Sequence, residues 1–447
     1  MEDLTTGSIS RHLIKTTSFM LVTMVFQTLY FLVDLYWVGR LGKEAIAGVG
    51  IAGTLTFIVL AITQMLAVGT TTLISHAAGR KEREQAQRVL NQSLLLSASI
   101  GVLFLMAVTF LRAAYVNTLS PDPVSAQSAN DYLSWFIPAM ALQFPMVVMA
   151  AALRGTGNFK PGMVVQTATV ILNIVLAPAL MFGWLGGSPM GVAGAGLASF
   201  IAIIIGTIWL ALYFFSAAAY LKFHAEFRPR AERWSQILKI GLPAGVEFGL
   251  IAVYLFVVYT VSRPFGAGAQ AGFGIGQRII QAGFMPIVAL GFAVAPVAGQ
   301  NFGARQAGRV RETFQRAALF AAGIMFSVTL ACNLVPGPMI RFFSSDPQVI
   351  SVGAEYLRIV SWSLVASGII FVNGSIFQAM GNTMPPLVAS FMRILVVAIP
   401  AILLARLPGF ELVWVWYLSV AATVLQLLLN LVLLKRAFRT RLRFEPS

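Results

Sequence analysis

Twelve apolar stretches of membrane-crossing length punctuate the chain, each closed by a short polar gap. They lie near residues 13–38, 46–74, 90–113, 130–153, 162–184, 190–217, 236–262, 269–299, 314–336, 351–378, 386–407 and 412–434. A helix needs about 20 apolar residues to cross a bilayer, and hydrocarbon leaves no partner for a backbone N–H outside the helix itself. The pattern predicts an all-α polytopic membrane protein with twelve transmembrane helices. Composition agrees: 58% of the 447 residues are hydrophobic and 11% are charged, against about 25% charged in soluble domains. Mean hydropathy is +0.82. Pro138, Pro145, Pro286, Pro296 and Pro400 fall inside these stretches, where neighbouring helices can satisfy the freed carbonyls.

The net charge of +15 is compatible with nucleic acid in principle. Its distribution is not, because the cations cluster in alternate gaps. Arg80, Lys81, Arg83 and Arg88 share one gap, Lys222, Arg228, Arg230 and Arg233 another, and Arg305, Arg309 and Arg311 a third. Lys435, Arg436, Arg439, Arg441 and Arg443 follow the last stretch, while the intervening gaps are poorer in cations. The positive-inside rule then puts both termini in the cytoplasm, with no nucleic-acid partner expected. Cys332 is the only cysteine, so neither a disulfide framework nor a cysteine metal site is expected within the chain. His12, His76 and His224 are far apart in sequence. The N-terminus "MEDLTTGSISRHLIK" has no signal-peptide pattern, and the first apolar stretch is long enough to remain as a span.

A shift of 224 residues lays one half of the chain on the other. "LGKEAIAGVGI" (41–51) meets "FGAGAQAGFGI" (265–275), and "SPDP" (120–123) meets "SSDP" (344–347). "DYL" (131–133) meets "EYL" (355–357), and "GTGNFKP" (155–161) meets "AMGNTMP" (379–385). The expected organisation is an N-terminal six-helix lobe over 1–217, a cytoplasmic linker over 218–235 and a C-terminal six-helix lobe over 236–447. Six is even, so both bundles enter from the same side, related by a pseudo-twofold axis along the membrane normal. Small residues in "GVAGAGLAS" (191–199) and "GAGAQAGFGIG" (266–276) invite close helix contact.

Of the 16 acids, only Asp34 and Glu247 lie well inside apolar stretches. An acid at the centre of a membrane helix costs roughly 3 kcal/mol on insertion scales, and such residues usually mark ion or proton paths. Gln27, Tyr30, Asp34 and Trp37 are spaced three, four and three apart and share one helical face. A carboxyl group in an apolar setting can be neutral or ionised according to its hydration, as a proton-coupled carrier requires. A structural hydrogen bond to a neighbouring helix is the plainer alternative. Glu247 lies in the seventh stretch with Tyr254 seven residues on, and Tyr254 overlays Tyr30 under the shift. Arg278 and Arg393 are the cations within apolar stretches that could pair with Glu247. Its role is open between a structural ion pair and a coupling or cation-binding function. Asn173 and Ser199 are polar groups that could reach the stripe of the first helix, or simply pack helices.

These segments together resemble the multidrug and toxic compound extrusion (MATE) transporters over essentially the whole chain. "LYFLVDLYWVGRLG", "LRGTGNFKP", "LNIVLAP", "MGVAGAGLAS", "APVAGQNFGA" and "QAMGNTMP" carry the likeness. The resemblance implies export of amphiphilic, often cationic compounds in exchange for H⁺ or Na⁺, by alternating access and with no cofactor. It puts the N-lobe acid at Asp34, its partners at Gln27, Tyr30 and Trp37, the fifth-helix amide at Asn173 and a sixth-helix hydroxyl at Ser199. The DinF-like branch carries a second acid four residues after that amide, where this chain has Ala177. The NorM-like branch carries a seventh-helix acid about one turn beyond Glu247. With Ala177 present, a proton is the expected coupling ion. The chain is expected to work as a monomer in the cytoplasmic (inner) membrane, with small-molecule substrates and the lipid bilayer as its partners.

The runner-up function is a lipid-linked precursor flippase of the same broad superfamily. It would want a cation-rich cavity, for which only Arg278 and Arg393 qualify. A channel lacks a visible filter or charge ring, and no nucleophile–base set or metal-ligand set suggests an enzyme.

Overall fold

The computed structural model describes residues 2–120, 122–184, 186–223 and 228–444. Four residues of the expected linker, His224 to Phe227, lie outside them. The helices in chain order are α1 (Ile9–Gly39), α2 (Lys43–Gly79), α3 (Arg83–Leu119), α4 (Pro123–Gly155), α5 (Phe159–Met181), α6 (Val192–Phe215) and α7 (Ala231–Ser262). They continue with α8 (Ala267–Gly303), α9 (Ala307–Leu334), the short α10 (Pro336–Arg341), α11 (Pro347–Val360), α12 (Leu364–Ala379), α13 (Met384–Leu404) and α14 (Val413–Arg441). A single 3₁₀ turn, Ser361–Ser363, joins α11 and α12 into one span, so twelve helical segments among the described residues are long and apolar enough to cross a membrane. The chain is a multi-pass membrane protein of the expected all-α class.

Two compact units form. Among the described residues, one holds Glu2, Asp3 and those of 18–245; the other holds Leu4–Thr17 and those from Val246 to residue 444. The first two turns of α1 thus belong with the C-terminal unit, and the first half of α7 with the N-terminal unit. Both placements have side-chain causes. In the C-terminal unit, Leu4, Ile9 and Leu13 are fully buried in a core that includes Val297 and Val310. The Leu4 N–H donates to Gln300 Oε1 (3.0 Å), and Asn301 Nδ2 donates to the Leu4 carbonyl (3.1 Å). Arg309 Nη1 donates to the Gly7 carbonyl at 3.0 Å. In the N-terminal unit, Gln92 on α3 donates to the Arg228 carbonyl (2.8 Å) and accepts from the Arg230 N–H (2.9 Å). Residues 4 and 228 are themselves one repeat apart.

The internal repeat is visible in the backbone. Asp122 caps α4 by accepting from the N–H groups of Val124 and Ser125; Asp346, 224 residues later, caps α11 by accepting from Gln348 and Val349. This is the physical content of "SPDP" and "SSDP": an N-cap aspartate followed by proline at the first helical position. The Ser125 N–H, with the Ser125 hydroxyl and the Val124 N–H, holds the exposed Asp122 carboxyl below the usual carboxylate range. The cap therefore persists at neutral pH and loosens only in acid, as pH falls through that lowered value. Gly157 (φ +77°) and Gly381 (φ +67°) make matching left-handed turns after α4 and α12, where a Cβ would be strained. Lys81 (φ 61°) and Arg305 (φ 59°) repeat the same left-handed geometry after α2 and α8 without glycine's freedom.

Small residues set the helix spacing, as "GVAGAGLAS" and "GAGAQAGFGIG" suggested. A Cβ on Gly194 would lie 2.8 Å from the α5 backbone at Met181 N, and one on Gly196 would lie 2.6 Å from the Tyr132 carbonyl of α4. On α8, a Cβ on Gly272 would lie 2.8 Å from the Val349 carbonyl. Opposite these close approaches sit large side chains. In the C-terminal unit, Trp416 and Tyr356 are essentially fully buried. Trp416 stacks on Phe273 (centroids 5.5 Å apart) and meets Tyr356 edge-on (4.8 Å). Trp416→Ala is expected to cost about 3–5 kcal/mol through the cavity it leaves. Cys332, fully buried in the same core, gives the measurement: its maleimide reactivity on heating should appear at markedly lower temperature in the variant.

Candidate functional site

Each unit has a polar core within its apolar helices. In the N-terminal unit it is built from α1, α5 and α6. Tyr30 and Ser199 share a hydroxyl–hydroxyl hydrogen bond of 3.2 Å, and Asn173 Nδ2 donates to Ser199 Oγ at 2.9 Å. Asn173 and Ser199 are buried. Asp34 stands one turn above Tyr30 on the same face. Its carboxylate is within electrostatic reach of Tyr30 and of the buried Tyr132 on α4. Asp34 Oδ1 and Asn173 Oδ1 are buried acceptors with no hydrogen-bond partner among the described residues. No Arg or Lys among the described residues forms an ion pair with Asp34, so this acid is not neutralised locally.

Trp37 is part of an aromatic cluster. Its ring meets Phe182 (5.9 Å) and Trp184 (5.6 Å), both just beyond α5, and Tyr36 (5.0 Å). The Arg40 guanidinium lies over Tyr36 and Trp37, 5.0 and 5.5 Å from their centroids. Gln27 is exposed at the lower end of the stripe and joins none of these contacts. Ala177 is buried in the surrounding core, so no second carboxylate accompanies Asp34 on α5.

In the C-terminal unit the matching Tyr254 bonds Ser419 Oγ at 3.2 Å. The serine on α14 comes one turn earlier than the repeat would place it, where the chain has Thr423. Ser390 Oγ on α13 donates to Glu247 Oε1 at 2.7 Å, and Gln426 Nε2 on α14 donates to Ser390 Oγ at 3.0 Å. Glu247 therefore takes a hydroxyl rather than a guanidinium as its direct partner. Arg278 is exposed and not among its contacts, while Arg393 acts on Glu247 only electrostatically. Ser390, Ser419, Gln426 and Tyr132 escaped the sequence reading. Two amides four apart in "QLLLNLVLLKR", Gln426 and Asn430, were the signal that could have found the α14 part of this core. No group of three or more His, Cys, Asp or Glu is placed to hold a metal among the described residues.

Two six-helix repeats, each with an ionisable group in a buried polar core, define a polytopic membrane protein of carrier type. The MatE family model matches residues 20–179 and again 243–404, close to the offset that overlays the two halves. The chain belongs to the MATE family of transporters. It is 26% identical over 445 residues to the probable multidrug resistance protein NorM of Thermotoga maritima, covering 98% of this chain and 96% of that one. It is 26% identical to the probable multidrug resistance protein YoeA of Bacillus subtilis, covering 92% and 90%. Among solved structures, an outward-facing multidrug resistance MATE family transporter of the MOP superfamily superposes with a TM-score of 0.90 at 23% identity, over 100% of this chain and 98% of that one. A MOP superfamily transporter from Pyrococcus furiosus gives 0.90 at 23% identity, over 99% and 98%. These superpositions bear on the fold.

Proposed function

We propose that the chain is a multidrug exporter that moves amphiphilic or cationic compounds out across the cytoplasmic membrane in exchange for a cation, a proton in preference to Na⁺. The relatives named as multidrug resistance proteins support the substrate class. The single observation that carries the coupling step is Asp34: a carboxylate in an apolar helix, with an orphan oxygen, beside a hydrogen-bonded tyrosine, serine and asparagine. Ionised, Asp34 attracts a lipophilic cation or the coupling ion. Protonated, it loses that charge and lets the stripe of α1 repack, which releases substrate. A proton needs one oxygen at Asp34, whereas Na⁺ wants several, and Ala177 removes one of the candidates. The protein works as a monomer, by alternating access of its two halves, with both termini in the cytoplasm.

The test is uptake of a fluorescent lipophilic cation such as ethidium into everted membrane vesicles energised by a pH gradient without Na⁺. Wild type should accumulate it. Glu247→Gln, at matched expression, is expected to slow uptake by several-fold, about 1 kcal/mol on the limiting step. Full activity in that variant assigns Glu247 to structure alone.

A further inference from the structure

We propose that the exposed face of α8 carries a carboxylate-binding subsite, formed by Arg278 and Gln281, through which the protein takes amphiphilic compounds that bear an acid group. This deepens the export reading and rests on it for the transport consequence. Its own evidence is the chemistry of one helix face. The exposed residues of α8 are Ala267, Ala271, Arg278, Gln281 and Ala282. None is a large apolar side chain. A face bathed in lipid tails looks different: on α9 of the same unit Leu319, Phe326 and Leu330 are exposed. Arg278 sits eleven residues into α8, about 16 Å along the helix from its start. A charged side chain that deep in an apolar span meets either a partner or water. Arg278 has no ion-pair or hydrogen-bond partner among the described residues, so the face opens to water. The other side of α8 is packed. Phe273 stacks on Trp416, and a Cβ on Gly276 would lie 2.5 Å from the Tyr356 ring. By helical spacing Arg278 falls on the side away from both.

The donor set selects the ligand class. A guanidinium offers five N–H donors in a planar fork and no acceptor. A carboxylate fits that fork with two parallel bonds and balances its single charge. Gln281, on the next turn of the same face, adds amide N–H donors and has no hydrogen-bond partner among the described residues. The acid of this unit does not compete, because Glu247 accepts from Ser390 and lies in the field of Arg393. Alanines at 271 and 282 leave room for the body of a ligand. Gly274, one turn before Arg278, does the same for the Tyr259 hydroxyl, which would lie 3.0 Å from a Cβ at that position. The repeat gives no such set in the N-terminal unit, where Thr54, Phe57 and Ile58 occupy the positions matching Arg278, Gln281 and Ala282. Phe57 and Ile58 are exposed apolar side chains. A lipid phosphate shares the anionic oxygen chemistry, and competition separates it from the acid group of a substrate.

Rhodamine 110 carries a free carboxylate and rhodamine 123 is its methyl ester, so the pair isolates the acid group. Fluorescence polarisation with purified full-length protein in neutral-lipid nanodiscs reads the binding of each without transport. Wild type should bind rhodamine 110 more tightly than rhodamine 123. Arg278→Gln should weaken rhodamine 110 by about tenfold or more, the scale of a lost charged hydrogen-bonding pair. The same variant should tighten rhodamine 123, whose positive charge no longer meets another. Opposite responses of the two dyes separate loss of the subsite from loss of the fold. Arg278→Lys should recover part of the loss, since a lysine keeps the charge without the fork. Gln281→Leu should weaken rhodamine 110 by a few-fold. Competition by hexanoate stronger than by dihexanoylphosphatidic acid supports a substrate carboxylate; the reverse order assigns the face to a lipid headgroup and overturns the proposal. Rhodamine 110 binding that is absent in wild type, or unchanged in Arg278→Gln, also overturns it. So does equal weakening of both dyes in that variant. Ethidium has no carboxylate, so its uptake into vesicles tests the export reading separately.

Discussion

Asp34→Asn is expected to lower proton-driven export by at least about tenfold, equivalent to roughly 1.4 kcal/mol or more on the coupled step. The substitution is nearly isosteric, keeps a hydrogen-bonding group beside Tyr30, and removes the one carboxylate that the described residues bring to the polar core of the N-terminal unit. Its effect is therefore on charge and proton exchange rather than on packing. Folding should be close to normal or slightly improved, because burying a carboxylate costs more than burying an amide. The measurement is ethidium uptake into everted vesicles at matched expression, with thermal stability read in parallel. Undiminished uptake removes Asp34 from coupling. Ser199→Ala is expected to have a smaller effect: it deletes the hydroxyl shared by Tyr30 and Asn173 but leaves the acid.

Gly196→Val should damage the fold itself. The added Cβ would lie 2.6 Å from the Tyr132 carbonyl oxygen and 3.3 Å from Trp135 Cβ, with two further methyl groups beyond it. Backbone atoms cannot rotate away as a flexible side chain can, so α6 must separate from α4. Overpacking of this kind typically costs about 1–3 kcal/mol, and more where backbone must move. The same displacement carries Ser199, one turn along α6, away from Tyr30 and Asn173, so loss of stability and of transport should appear together. A thermal-unfolding midpoint equal to wild type would show that α4 and α6 are not held at this spacing. Gly323→Ala on α9 is a matched control, since nothing lies within 4 Å of a Cβ there.

The architecture was legible because hydrocarbon allows so few solutions. Span length predicts twelve helices, and one offset predicts the paired caps at Asp122 and Asp346 and the paired turns at Gly157 and Gly381. The α1 stripe was readable from helical spacing, and its link to Asn173 and Ser199 was a natural guess for polar groups in an apolar bundle. The C-terminal core was harder to read. Ser390, Ser419 and Gln426 are ordinary helix residues in sequence; only the packing of α7 against α13 and α14 joins them to Glu247 and Tyr254. Arg278 illustrates the opposite error, since a cation in an apolar stretch need not meet the nearest acid. The crossed ends of α1 and α7 were also hidden. Their grouping depends on backbone carbonyls at Leu4 and Arg228 being bound by Asn301 and Gln92, and a backbone carbonyl has no sequence signature.

Coupling through Asp34 shows most directly in the direction of ion flow. Purified protein in sealed liposomes, with a pH gradient as the only driving force and no Na⁺ present, is given a lipophilic cation on the side from which it would be exported. The drug should accumulate against its gradient with protons moving the opposite way, and both movements should be lost in Asp34→Asn. Drug movement that follows only its own gradient, in wild type and variant alike, would contradict that coupling.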